Sequence, residues 1–173
     1  MGGCISGRSM GNVLPWLSET SFSMWLRGST WAEPVIETIH VLTLTVFLGF
    51  TLLLDLRLLG ISMRRRRASD VIGQLNPWVM GSFAVMIVTG ALLFTGDPVA
   101  FYTTIFFKLK MLMLILALMN VMVFNRTAHR KIAEWDSNPH TPGRVRAAAI
   151  ISLVLWVAII AAGRAIAYVL PPP

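Results

Sequence analysis

Four apolar stretches, at residues 34–60, 77–95, 102–124 and 147–169, leave this chain few ways to fold. Each is close to the roughly 20 residues that a helix needs to cross a hydrocarbon core. Lipid offers no water to backbone N–H and C=O groups, whereas an α-helix satisfies them within itself. The composition agrees: 55% of the 173 residues are hydrophobic, 13% are charged and the mean hydropathy is +0.69, outside the usual range of soluble domains. The expected fold class is all-α, an integral membrane four-helix bundle preceded by a short outer-surface amphipathic helix. Residues 1–33 make the N-terminal segment and residues 34–173 the transmembrane domain.

In "LPWLSETSFSMWLRGSTWAEP", Leu14, Leu17, Trp25 and Leu26 alternate with Ser, Thr, Glu and Arg at loosely helical spacing. This segment is too polar to span, and Trp16, Trp25 and Trp31 favour the headgroup level, so it is expected to lie flat on the outer surface and to end at Gly28. Pro34 then suits the first turn of the first span. The link "TGDPVAFY" is short, and its Asp97-Pro98 pair signals a turn between antiparallel neighbours. The two halves of the chain show no convincing internal repeat, which argues against an inverted-repeat transporter.

The basic residues sort by side. Arg57, Arg64 to Arg67, Arg126, Arg130, Lys131, Arg144 and Arg146, ten in all, fall at one face; Arg8, Arg27, Lys108, Lys110 and Arg164, five in all, fall at the other. The positive-inside rule places the ten in the cytoplasm and both termini outside. A pI of about 10.8 thus needs no nucleic-acid partner; "RRRR" reads mainly as a topology signal, with anionic-lipid contact secondary. The start "MGGCIS" matches a myristoylation pattern, but an outside N-terminus is beyond the reach of cytosolic acylation. Cys4 is the single cysteine, so neither an internal disulfide nor a thiolate cluster is expected.

Ionisable residues inside a bilayer cost roughly 2.5 to 3.5 kcal/mol on insertion scales, and each needs a partner or a purpose. Glu33, Glu37 and His40 share one face of the first span, and helical steps carry that stripe to Phe47, Thr51 and Asp55. Asp55 and Arg57, at the inner boundary, do not share a face. Lys108 and Arg164 come to the same outer depth as Glu37 and His40, so these four are expected to meet in one layer. Lys110 points about 200 degrees away from Lys108, so one of the two is expected to snorkel. Asn120 is placed to hydrogen-bond between helices, and Gly90 and Gly163 to allow close approach. Trp78 and Trp156 read as packing or interface residues. His40 has two readings, an axial haem ligand oriented by Glu37 or a histidine hydrogen-bonded to a carboxylate or hydroxyl. His129 and His140 lie on the cytoplasmic link, too far to complete a bis-histidine site. Met111, Met113, Met119 and Met122 read as packing rather than copper ligands.

The segments "WAEPVIETIHVLTLTVFLGFTLLLDLRLLGI", "PWVMGSFAVMIVTGALLF", "FFKLKMLMLILALMNVMVF", "EWD" and "LWVAIIAAGRAIAY" together resemble an uncharacterised family of small bacterial four-helix membrane proteins. The resemblance covers residues 14–168. It implies that Glu37, His40, Asp55, Arg57, Lys108, Asn120, Trp135, Arg164 and Tyr168 occupy the family's recurrent polar and aromatic positions. Asn125 departs from that pattern, standing where relatives carry histidine, which weakens a ligand role there. A looser likeness is to four-helix haem membrane proteins of the copper-resistance D and membrane protoporphyrinogen oxidase types. Its basis is an early histidine followed by a glycine, here His40 and Gly49, and a lysine near the start of a later helix, here Lys108.

The expected function is that of a small polytopic bacterial inner-membrane protein, both termini periplasmic, associated with haem b or a quinone in redox chemistry. His40 is then the axial ligand, Glu37 orients it, and Lys108 and Arg164 pair with propionates or a quinone oxygen; no catalytic residue is assigned. The alternative is a non-catalytic transmembrane subunit of a larger respiratory or photosynthetic complex, and a small transporter stands third. The expected partners are the lipid bilayer and either a homo-oligomer or other subunits of a membrane complex.

Overall fold

A computed structural model describes residues 10–63, 65–127, 132, 136 and 141–169. Cys4, Arg64, His129, Trp135 and His140 lie outside the described residues. Seven helices and no strand are present among those described. They are α1 (Met10–Ser18), α2 (Ser21–Gly28), α3 (Ala32–Leu58), α4 (Ala68–Gly96), α5 (Pro98–Thr103), α6 (Ile105–Thr127) and α7 (Gly143–Val169). By length and apolar composition α3, α4, α6 and α7 can each cross a membrane, which makes this a multi-pass membrane protein.

Each long helix buries one stripe at spacings that follow the helical period: Phe47, Asp55 and Leu58 on α3; Val71, Ser82, Met86 and Thr89 on α4; Met113 and Ala117 on α6; Val145, Ala149, Ser152, Trp156 and Ile159 on α7. The remaining faces are apolar and exposed, as lipid contact requires. α3 packs chiefly on α4, α6 packs chiefly on α7, and α3 against α7 joins the two hairpins. Phe47 anchors the centre, edge-on to Trp156 at 4.6 Å and tilted against Phe83 at 5.7 Å between ring centroids. Asn120 Nδ2 donates to the Ala148 carbonyl at 2.9 Å, tying α6 to α7.

One end of the bundle is capped by the N-terminal segment. It forms two short helices rather than one, ending at Gly28 as the glycine suggests. α2 buries Leu26 completely and sends the Ser23 hydroxyl to the Thr95 carbonyl at 2.7 Å. That hydroxyl satisfies a carbonyl which the end of α4 leaves without an intrahelical donor. Asp97 caps α5 by accepting from the Ala100 N–H at 3.1 Å, with Pro98 in the first turn.

The other end is the basic one. α3 ends at Leu58 and the chain turns at Gly60, whose φ is 74°, with the Gly60 N–H donating to the Arg57 carbonyl and the Ile61 N–H to that of Leu56. The buried Arg57 guanidinium donates to the Arg66 carbonyl from Nε at 3.0 Å and Nη2 at 2.6 Å, folding the arginine-rich link back on the helix end. α4 starts at Ala68, nine residues ahead of Pro77, where the sequence reading began the span. It lacks a side-chain cap of its own, and Asp136 provides one from the α6–α7 link. Asp136 accepts from the Ser69 N–H at 3.1 Å and from the Ser69 hydroxyl. Partial desolvation pushes the Asp136 carboxyl up, but the bonds from Ser69 and the Ala68 N–H and the nearby Arg67 charge outweigh it and hold the group below the usual carboxylate range.

Candidate functional site

Two layers of aromatic rings bracket a polar layer. On the capped side Phe94 of α4 stacks on Phe107 of α6 at 5.3 Å, and on the other side lies the Phe47, Phe83 and Trp156 group. Between them, on the buried stripes, stand His40 of α3, Thr89 of α4 and Lys110 of α6.

His40 is half-buried, and its Nδ1 lies 2.7 Å from the Thr89 hydroxyl oxygen. Thr89 directs its own proton to carbonyls of its helix, Val85 at 2.8 Å and Met86 at 3.3 Å. With the Thr89 proton so placed, Nδ1 is the donor to Thr89 and Nε2 the nitrogen with the lone pair. The ring packs beside Gly90, where a Cβ would make an ordinary contact at 3.4 Å with His40 Cε1. Lys110 packs likewise beside Gly163, its Nζ 3.5 Å from where a Cβ would be. The two glycines thus face polar side chains rather than a neighbouring backbone. The Lys110 charge acts on the His40 ring, and no carboxylate pairs with Lys110 among the described residues.

The layer expected from the sequence differs in membership. Of Glu37, His40, Lys108 and Arg164, the structure brings only His40 into the interior. Glu37 is exposed, because three residues along a helix is a rotation of about 60° away from the His40 face. Lys108 is exposed with its Nζ 5.1 Å from the centre of the Tyr102 ring. Arg164 is exposed over Tyr168, its Cζ 4.9 Å from the ring centre, with Nη2 donating to the Tyr168 hydroxyl at 3.3 Å. Thr89, not Glu37, orients the imidazole, and Lys110, not Lys108, is the inward lysine. The signal for Lys110 was the stripe Lys110, Met113, Ala117, Asn120 and Phe124, which steps by three and four residues along α6.

The arrangement presents one acceptor nitrogen and one ammonium donor in a largely apolar setting. Among the described residues no three His, Cys, Asp or Glu side chains come together. The His40 and Lys110 pair can hydrogen-bond a polar or anionic group.

A family model, described as a family of unknown function (DUF6644), matches residues 14–169. The chain belongs to this family. The DUF6644 match spans all four long helices together with α2, so the polar layer and the capped end are both inside it. No curated protein and no solved structure matches the chain, and the looser likeness to haem membrane proteins gains no support from these comparisons.

Proposed function

We propose that this DUF6644 protein is a bacterial inner-membrane protein, termini periplasmic, that holds a redox cofactor of haem b or quinone type in the His40 and Lys110 layer. The observation that carries the reading is the hydrogen bond from His40 Nδ1 to Thr89. It holds the ring as outer partners of ligating histidines do and leaves Nε2 uncommitted. For a haem, His40 Nε2 is the nitrogen available to iron and Lys110 the cation available to a propionate. For a quinone, His40 accepts from a quinol hydroxyl and Lys110 donates to a quinone oxygen. Haem or quinone would supply the electron-carrying chemistry, and the protein the orientation and exclusion of water.

The test is a visible spectrum of protein purified from cells supplied with haem, oxidised and reduced, together with solvent extraction and chromatography for quinones. The expected result is a Soret band or a stoichiometric quinone in wild-type protein. His40→Gln should lose it, since an amide is not a usual axial ligand, and Thr89→Val should hold it about 10 to 100-fold more weakly. Wild-type protein with neither chromophore nor quinone, or a His40→Gln variant with a full complement, refutes the reading and leaves His40 as a structural hydrogen-bond donor.

The second reading, a transmembrane subunit of a larger complex, draws on Glu37, which is exposed within the span of α3. A carboxylate facing lipid is costly, whereas one facing a partner helix is not. Stoichiometric subunits retained through purification in a mild detergent would favour it.

A further inference from the structure

A second polar cluster lies nearer the basic end and takes no part in the layer just described. Asp55, 6% exposed, sits on the buried stripe of α3 with no hydrogen-bond partner for its Oδ2. Thr51, one turn earlier on the same face, has a buried hydroxyl that is also without a partner. Ser152 of α7, 7% exposed, brings its hydroxyl to the Asp55 carboxyl.

The Thr51 hydroxyl is unusual in its own helix. Thr38 and Thr45 of α3 each bond to the carbonyl four residues earlier, Pro34 at 2.7 Å and Val41 at 3.0 Å. Thr51 does not, so its oxygen is left for something else. Arg57, the buried cation near this end among the described residues, is turned to the Arg66 carbonyl. A buried carboxylate oxygen and a buried hydroxyl are each expensive to leave unmet, the carboxylate most of all. Two such atoms on one face, with a third hydroxyl across from them, ask for a guest that several oxygens can share.

We propose that Thr51, Asp55 and Ser152 form an intramembrane binding site for a monovalent cation, sodium. The donors are all oxygen, which selects a hard cation over a transition metal. A single carboxylate with two neutral hydroxyls balances one positive charge, whereas calcium sites draw on several carboxylates or carbonyls. Asp55 lies one turn from the end of α3 at the basic face, so the ion has a short route from water.

The experiment uses the full chain in nanodiscs of zwitterionic lipid, with sodium chloride replacing choline chloride at constant ionic strength. Thermal unfolding is followed by tryptophan fluorescence. The expected result is a saturable rise in unfolding temperature with sodium that potassium matches only at higher concentration. Asp55→Asn should abolish the sodium response, and Thr51→Val and Ser152→Ala should each raise the half-saturating concentration about tenfold or more. Thr45→Val, exposed on the same helix and outside this cluster, should leave it unchanged. Three results would overturn the proposal. One is an equal response to sodium and choline, as a site holding only water would give. Another is a sodium response that persists in both Asp55→Asn and Thr51→Val. The third is an infrared band of a protonated carboxylic acid at neutral pH in sodium that vanishes in Asp55→Asn, which would mean that the site carries a proton.

Discussion

Replacing Phe47 by alanine removes the ring that joins α3 to both α4 and α7. In a soluble protein the cost would combine loss of burial from water with a cavity. Here the unfolded reference is itself in lipid or detergent, so the transfer part largely drops out and the packing part remains. A void on the order of 100 Å³ at about 24 cal/mol per Å³ gives roughly 2.4 kcal/mol. Loss of the contacts to Trp156 and Phe83 adds about 0.5 to 1.5 kcal/mol each, and partial collapse of the site subtracts from the sum, so Phe47→Ala should destabilise the bundle by about 3 kcal/mol. Leu42, five residues earlier on the same helix, is 63% exposed; Leu42→Ala leaves no cavity and should cost less than about 0.5 kcal/mol. Reversible unfolding in mixed micelles with rising SDS, read by circular dichroism, measures both. Equal losses from the two variants would refute the assignment of Phe47 to the interior and of Leu42 to lipid, and a large loss from Leu42→Ala alone would mean that another chain covers that face.

The Asp136 cap makes stability acid-sensitive: its carboxyl is held below the unfolded value of about 3.9. Its contribution is therefore complete above that value and is lost as pH falls through the folded pKa. Unfolding temperatures between pH 6 and pH 3 should fall further for wild-type protein than for Asp136→Asn, and parallel curves would count against the cap. For orientation, ten basic residues against five predict by the positive-inside rule that a reporter fused after Pro173 behaves as periplasmic; a cytoplasmic signal would reverse the arrangement.

Much of the architecture was legible because it follows from one-dimensional constraints. Four apolar runs of membrane length specify four helices whatever packs against them, since each must satisfy its own backbone in lipid. The glycine at the end of α2 and a bond from Asn120 to a neighbouring helix were likewise local readings of cap chemistry and helical periodicity, whereas the Asp97-Pro98 pair, read as a turn, starts the short α5. The start of α4 was not. Hydropathy detects only the part of a helix that sits in lipid, and the nine polar-leaning residues from Ala68 to Asn76 are held helical by a cap from Asp136, 67 residues away.

The polar layer shows the same division. That His40 faces the interior could be read from its place on the stripe that continues to Phe47 and Thr51. Which residues meet it could not, because depth in the membrane is common to Lys108 and Lys110 and to Glu37 and His40. Rotation about the helix axis separates them, and that angle is set by how α6 docks on α7 and α3 on α4. The same docking brings Thr89 to the imidazole, turns Lys110 over Gly163, sets Ser152 beside Asp55 and leaves Asp55 Oδ2 and the Thr51 hydroxyl without a partner. Periodicity states which residues share a face of one helix; only packing between helices decides what that face meets.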